Sequence, residues 1–146
     1  MSAAGDVRLY MALQKAAHAF KKRADAALLV AADLTTAQSA VLVAIYAEEG
    51  ATQRTVALAL GLNESALTAM IRKLINRELI VRERSKADAR AWSLGLTESG
   101  RKALAAVSDP FSRINDRIDK AMGPSDVREL GRLLSSLTEA LGEERA

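Results

Sequence analysis

Residues 81–97 read VRERSKADARAWSLGLT, and with Ile80 before them they decide the fold. Ile80, Arg82 and Arg84 alternate with Val81 and Glu83, and Trp92, Leu94 and Leu96 alternate with Ser93 and Gly95. Alternation of this kind is the period of a strand with two unlike faces. Between the runs lies SKADARA, which is small and charged. The pattern predicts an antiparallel hairpin with Trp92 and Leu94 buried on one face and a loop left free to project. A loop carrying Lys86, Asp88 and Arg90, with Arg84 at its root, suits a polyanion, since Arg is drawn to the narrow minor groove of DNA. Asp88 adds an opposing charge, but two residues from Arg90 it can pair with that side chain and hold it extended.

Upstream, Thr52 reads as a helix cap, with Val56, Ala57 and Leu60 as the buried positions of a short helix and Gly61 suited to a left-handed turn. Asn63 is the next cap, opening a helix predicted over residues 64–77. Two short helices joined by a Gly-containing turn describe a helix-turn-helix. The second helix has two faces. Leu67, Met70, Ile71 and Leu74 form a core face, while Ser65, Thr68, Ala69, Arg72 and Lys73 form a short, polar and then basic one. With Ala66 also small, that second face permits close approach to a major groove, where Arg72 and Lys73 can reach phosphates or base edges.

Working outward, Leu13, Ala16, Ala17, Phe20, Ala24 and Leu28 fall at helical spacing within a helix predicted from Asp6 to about Ala31. Thr35 and Gln38 form a capping box for a helix carrying Val41, Leu42 and Ile45, ending near Gly50. Thr97 caps a helix running from about Glu98 to Met122, with Leu104, Val107, Phe111, Ile114 and Ile118 apolar. Pro110 inside it predicts either a kink or a second segment capped by Asp109. Gly123 and Pro124 restart a last helix striped by Val127, Leu130, Leu134, Leu137 and Leu141 and widened by Leu133. Apolar helices at both ends of a small domain need a cover, and a two-fold partner is the economical one.

The 146-residue chain has a formal net charge of only +3, so the placement of charge matters more than its sum. Between residues 72 and 90, Arg72, Lys73, Arg77, Arg82, Arg84, Lys86 and Arg90 face only Glu78, Glu83 and Asp88. A localised basic patch is the electrostatic footprint of a polyanion partner. No apolar run approaches a membrane span of about 20 residues, and no signal peptide is visible, so a cytoplasmic protein is expected. The chain contains no Cys, which removes disulfides and thiol chemistry. His18 stands alone, and neither a metal site nor a cofactor is expected. No paired carboxylates, Ser/His/Asp set or Gly-rich phosphate loop is visible, so no catalytic residues are assigned and an enzyme is not expected.

The assembled residues resemble a MarR-family transcriptional regulator over nearly the whole chain. Leu34-Thr35 with Gln38 and Leu42, then Thr52-Gln53 with Val56-Ala57 and Leu60-Gly61-Leu62, resemble two of the family's segments. Asn63 to Leu74 resembles its recognition helix. Asp88, Arg90, Leu94, Leu96-Thr97 and Gly100 resemble its wing and the turn behind it. The resemblance implies a single mostly α domain with a small β-hairpin wing, about 34–97 being the winged helix-turn-helix lobe and about 6–31 and 98–142 the dimerisation helices. It further implies a homodimer on a pseudo-palindromic double-stranded DNA operator, more often as a repressor. Asn63, Ser65, Ala66, Thr68, Ala69, Arg72 and Lys73 would face the major groove, and Thr52 and Gln53 would lie near the backbone. Arg90, braced by Asp88, would enter the minor groove, with Arg84 and Lys86 on the same wing. Many members release DNA on binding a small aromatic or phenolic anion between the dimer helices and the DNA-reading lobe, but spacing assigns no effector pocket here.

Four positions depart from the family pattern. Ala89 stands where Arg is common, Glu78 where Gly is common before the first strand, and Leu58-Ala59 where charged residues are common. Glu78 makes a left-handed turn less comfortable and is expected to move the helix end to Asn76, and Leu58 reads as core rather than pocket lining. The alternative function is a winged-helix module that binds protein and not DNA.

Overall fold

A computed structural model of the chain describes residues 6–84 and 90–142. The elements in order are α1 (Arg8–Ala32), α2 (Thr36–Ala47), α3 (Gln53–Leu60), α4 (Glu64–Asn76), β1 (Ile80–Arg84), β2 (Trp92–Leu96), α5 (Glu98–Met122) and α6 (Pro124–Gly142). They fall into two compact units, one up to Pro110 and one from Phe111 onward. Among the described residues no single helix is long and apolar enough to cross a membrane.

In the first unit, short-range chemistry sets most of the helix ends. Thr35 and Gln38 form the expected reciprocal capping box, Thr35 Oγ1 accepting from Gln38 N at 3.1 Å and Gln38 Oε1 accepting from Thr35 N at 3.0 Å. Asp25 of α1 adds a long-range cap, its Oδ1 accepting from Thr36 N at 2.7 Å while Oδ2 takes Lys21 Nζ at 2.8 Å. The chain bends by 70° between α1 and α2, with Asp33 in the left-handed region at φ 52. The core of the unit collects Leu28, Leu34, Leu42, Val56, Leu67, Ile71, Leu74 and Ile80, all essentially inaccessible.

The turn from α4 into β1 shows how a Glu comes to occupy a glycine-like position. Leu79 N–H bonds to Leu74 O at 3.0 Å and Glu78 N–H to Ile75 O at 2.9 Å. This Schellman pattern satisfies two terminal carbonyls and brings buried Leu79 back over buried Leu74. It requires a left-handed residue between them, and Glu78 supplies it at φ 58. The same pattern closes α3, with Leu62 N–H on Ala57 O at 3.0 Å and Gly61 at φ 65. At Gly61 the conformation is cheap; at Glu78 it costs about 1–2 kcal/mol, outweighed by the closure. The helix ends at Asn76, the end expected from the Glu78 departure and one residue before the Arg77 read from the helix pattern alone.

The hairpin pairs Ile80 with Leu96, Arg82 with Leu94 and Arg84 with Trp92 on one face, and Val81 with Gly95 and Glu83 with Ser93 on the other. It is tied down at two places. Leu94 N–H bonds to Ala51 O at 2.7 Å, and Thr97 N–H bonds to Leu79 O at 3.1 Å. Thr97 Oγ1 donates to Glu78 O at 2.6 Å and accepts from Gly100 N at 2.9 Å, capping α5 while gripping the turn before β1. Leu94 is buried as expected, but Trp92 is 50% exposed. Burial of that face fades toward the loop, where Arg84 takes the place of an apolar neighbour.

Helix α5 runs unbroken from Glu98 through Pro110, so the predicted second segment capped by Asp109 does not form. In the second unit, from Phe111 onward, Pro124 opens α6 directly after Gly123 at φ 89, as Pro at a first helical position does. No residue of α6 is buried, and Leu130, Leu133, Leu134 and Leu141 are exposed. In the first unit, α1 buries only Ala24 and Leu28 and exposes Leu9, Tyr10, Met11 and Phe20.

A Cβ at Gly100 would run into the Leu79 carbonyl oxygen, which is backbone and cannot step aside. Gly100→Ala is therefore expected to lower stability by about 2–3 kcal/mol, read as a fall in denaturation midpoint. The Asp25 carboxyl is lowered from 3.8 to about 2 by the Lys21 ammonium and the Thr36 N–H. A depressed folded pKa adds stability that is present above the unfolded value and lost as pH falls toward the folded one. Asp25→Asn should thus cost on the order of 1 kcal/mol at pH 7. The gap from wild type should close between about pH 4 and pH 2 in denaturant titrations.

Candidate nucleic-acid interface

Asn63 sets the start of α4. Its Oδ1 accepts from Ala66 N at 2.7 Å and from Ser65 Oγ at 2.9 Å, with Glu64 favourably placed in the first turn. From that start, Leu67, Ile71 and Leu74 turn inward and are inaccessible. Ser65, Ala66, Ala69, Arg72 and Lys73 lie exposed on the other side. The expected separation of faces holds, with Met70 half-buried between them.

Thr68 and Gln53 behave differently from the rest. Gln53 Nε2 donates to Thr68 Oγ1 at 2.6 Å and to Glu64 O at 3.1 Å, and Thr68 Oγ1 donates to Glu64 O at 2.8 Å. Both side chains are half-buried. They lock the first turn of α4 against the first turn of α3, which fixes how α4 is presented. Thr52 is likewise engaged: its Oγ1 accepts from Thr55 N at 3.1 Å and Thr55 Oγ1 accepts from Thr52 N at 2.9 Å. Thr55 as the second half of that capping box escaped sequence reasoning because Glu or Gln is the usual signal there.

Arg84 and Arg90 stand exposed at the two ends of the wing loop. Lys86, Asp88 and Ala89 lie outside the described residues, and with them the pairing of Asp88 with Arg90. The Arg84 guanidinium sits over the Trp92 ring, 4.7 Å from its centroid. Arg77, counted in the basic patch, reaches Asp33 Oδ2 at 3.4 Å.

The two sides of the hairpin differ electrically. A cleft of about 470 Å³ is lined by Thr52, Gln53, Arg54, Glu64, Arg82 and Trp92, joining the starts of α3 and α4 to the face that carries Arg82 and Arg84. A cleft of about 350 Å³ touches the opposite face and is lined by Glu48, Glu49 and Glu83 with Arg101. Positive charge thus prevails on the Arg82 side. Arg54 and Trp92 were not assigned to a site from sequence, and no local signal would have joined them, since they lie on different elements. Leu58, expected in the core, is 71% exposed. The inward positions of α3 are Val56 and Ala57, which leaves Leu58 on the outer side. Among the described residues there is no group of three His, Cys, Asp or Glu able to hold a metal ion.

This arrangement is a helix-turn-helix with a hairpin wing behind its second helix, and comparison with known proteins agrees. Residues 32–91 match the MarR family. The structure superposes on the transcriptional repressor CouR bound to a 23-mer DNA duplex with a TM-score of 0.84, at 29% identity, over 93% of this chain and 96% of that one. Over its helix-turn-helix and hairpin the chain is similar to the MarR family. CouR from Rhodococcus jostii RHA1 bound to p-coumaroyl-CoA is also similar, with a TM-score of 0.80 at 25% identity, covering 93% and 95% of the two chains. Among curated relatives, the HTH-type transcriptional regulator TtmR of Methylorubrum extorquens (strain PA1) is 35% identical over 96 residues. That match covers 66% of this chain and about half of TtmR, 49%. The shared architecture makes this a winged helix-turn-helix protein.

If Gln53 and Thr68 brace α4, either Gln53→Ala or Thr68→Val should cost about 1 kcal/mol of stability. The double variant should lose clearly less than the sum, because both changes break one bond. Urea unfolding of the four proteins measures this.

Proposed function

We propose that this chain is a cytoplasmic MarR-family transcriptional repressor that binds double-stranded DNA as a homodimer and is released by a small-molecule effector. The observation that carries the DNA reading is the exposed face of α4. Ser65, Ala66 and Ala69 leave room for close approach, and Arg72 and Lys73 follow on the same exposed side. Asn63 holds the helix start, Thr68 and Gln53 hold its angle, and Arg84, Lys86 and Arg90 supply the wing, with Asp88 bracing Arg90. In this reading Thr52 and Gln53 lie beside the DNA backbone.

The lobe of residues 34–97 reads DNA, and the helices at 6–31 and 98–142 join the protomers. The exposed apolar residues of α1 and α6, Tyr10, Phe20, Leu133 and Leu134 among them, favour cover by a second copy. Two recognition helices related by a two-fold axis demand half-sites about one turn of duplex apart, which makes the operator pseudo-palindromic. The CouR complexes, one with DNA and one with p-coumaroyl-CoA, favour repression relieved by an aromatic or phenolic ligand. Such a ligand would act by shifting the spacing of the two helices.

The exposed Leu58 and Tyr46, at 71% and 70%, favour a second reading, a winged-helix module that binds protein instead. Titration of the purified protein against its own upstream DNA at two salt concentrations separates the two. A DNA reader loses affinity with rising salt at a log–log slope of about 0.9 per phosphate neutralised. Arg90→Ala should weaken binding roughly tenfold, about 1–2 kcal/mol. Salt-independent binding, or Arg90→Ala indistinguishable from wild type, would reject the DNA reading.

A further inference from the structure

Resting on the DNA-binding reading, we propose that Trp92 is a positioning residue that holds Arg84 over its ring, so that the base of the wing forms a backbone-phosphate contact of its own beside the wing tip. The hairpin register is the first ground. Arg82 and Arg84 share a face with Leu94 and Trp92, so two guanidinium groups emerge side by side where burial of the sheet gives out. The second is the state of Trp92. It is the chain's single tryptophan, and half of it is exposed, with the Arg84 guanidinium 4.7 Å from the ring centroid. A tryptophan used only to fill the core would not sit at the open end of a hairpin under a cation.

The third ground is the cleft beneath. Arg54 from the first turn of α3 meets Arg82 and Trp92 there, against the single acidic side chain of Glu64. Positive charge prevails on this side, whereas the other side of the hairpin is lined by Glu48, Glu49 and Glu83. The occupant favoured is a phosphodiester of the duplex, since the cleft opens between the start of the recognition helix and the wing. Stacking engages the flat face of a guanidinium and leaves its N–H edge as the hydrogen-bonding side. An Arg already stacked loses less freedom when it meets a phosphate than one moving in solvent. Trp92 thus acts through Arg84.

The test measures affinity for the upstream duplex across a salt series for wild type, Trp92→Leu, Trp92→Phe, Arg84→Ala and the Trp92→Leu/Arg84→Ala pair. Trp92→Leu should weaken binding about two- to fivefold, Trp92→Phe should recover most of that loss, and Trp92→Leu should have no effect once Arg84 is gone. Arg84→Ala should lower the salt slope by about one phosphate, while Trp92→Leu, which keeps the charge, leaves it unchanged. In the free protein Arg84→Ala should shift the emission of Trp92, and thermal melts confirm that each variant is folded. Additive losses, or full wild-type affinity in Trp92→Leu, would overturn the positioning role while DNA binding itself stands. Failure of the wild-type protein to bind any duplex would overturn both.

Discussion

The backbone of Leu79 is held from both sides, and the geometry of the helix-turn-helix and its hairpin depends on it. Its N–H closes α4 on Leu74 O, and its carbonyl accepts the Thr97 N–H while Gly100 packs against the same oxygen. Helix α4 ends, the first strand begins and the second strand hands over to α5 within this one contact. Thr97 reinforces it by bonding through its hydroxyl to Glu78 O. Because bonds from the peptides on both sides of one residue leave little play, the angle between α4 and the hairpin is fixed. A groove-reading helix and a wing are useful together only if that angle matches the curvature of a duplex.

The same junction explains why a Glu is tolerated where glycine would be easier. The left-handed strain at Glu78 is local, about 1–2 kcal/mol, whereas the closure it permits satisfies two carbonyls and buries Leu79 against Leu74. Its side chain remains exposed at the edge of the basic region. Charge near the reading head is therefore mixed, and what gives it direction is sorting between surfaces. Arg82 and Arg84 go to one face of the hairpin and Glu83 to the other, which a net charge of +3 conceals. Pairing with Asp33 draws Arg77 away from that surface.

Bracing and contact are divided among residues that look alike in sequence. Thr68 sits in the polar face of α4 beside Ser65 and Ala69, yet its hydroxyl is committed to Gln53 and to Glu64 O. Gln53 and Thr52 are half-buried and hold helix starts in place. Rigid presentation of the exposed residues is what these bonds supply, since a helix free to rock would spread its contacts over several registers. Leu58 carries no such role in the fold and stands on the outer side of α3, away from Val56 and Ala57.

The sequence by itself determined the elements and their ends: the hairpin from alternation, the starts of α2, α3 and α4 from Thr35, Thr52 and Asn63, and the turn at Gly61. These features act within about four residues, so their physics is written locally. It also determined which face of α4 turns inward, because Leu67, Ile71 and Leu74 repeat at helical spacing. Only the tertiary structure decided that Trp92 faces solvent under Arg84, that Gln53 reaches Thr68 and that Thr97 grips Glu78, partners 15 and 19 residues apart in those last two cases. It alone brought Arg54 to Arg82 across the cleft and left Leu58 outside the core. Each depends on how separate elements pack, and burial at the end of a strand or on a short helix is set by what covers it, which no local pattern records.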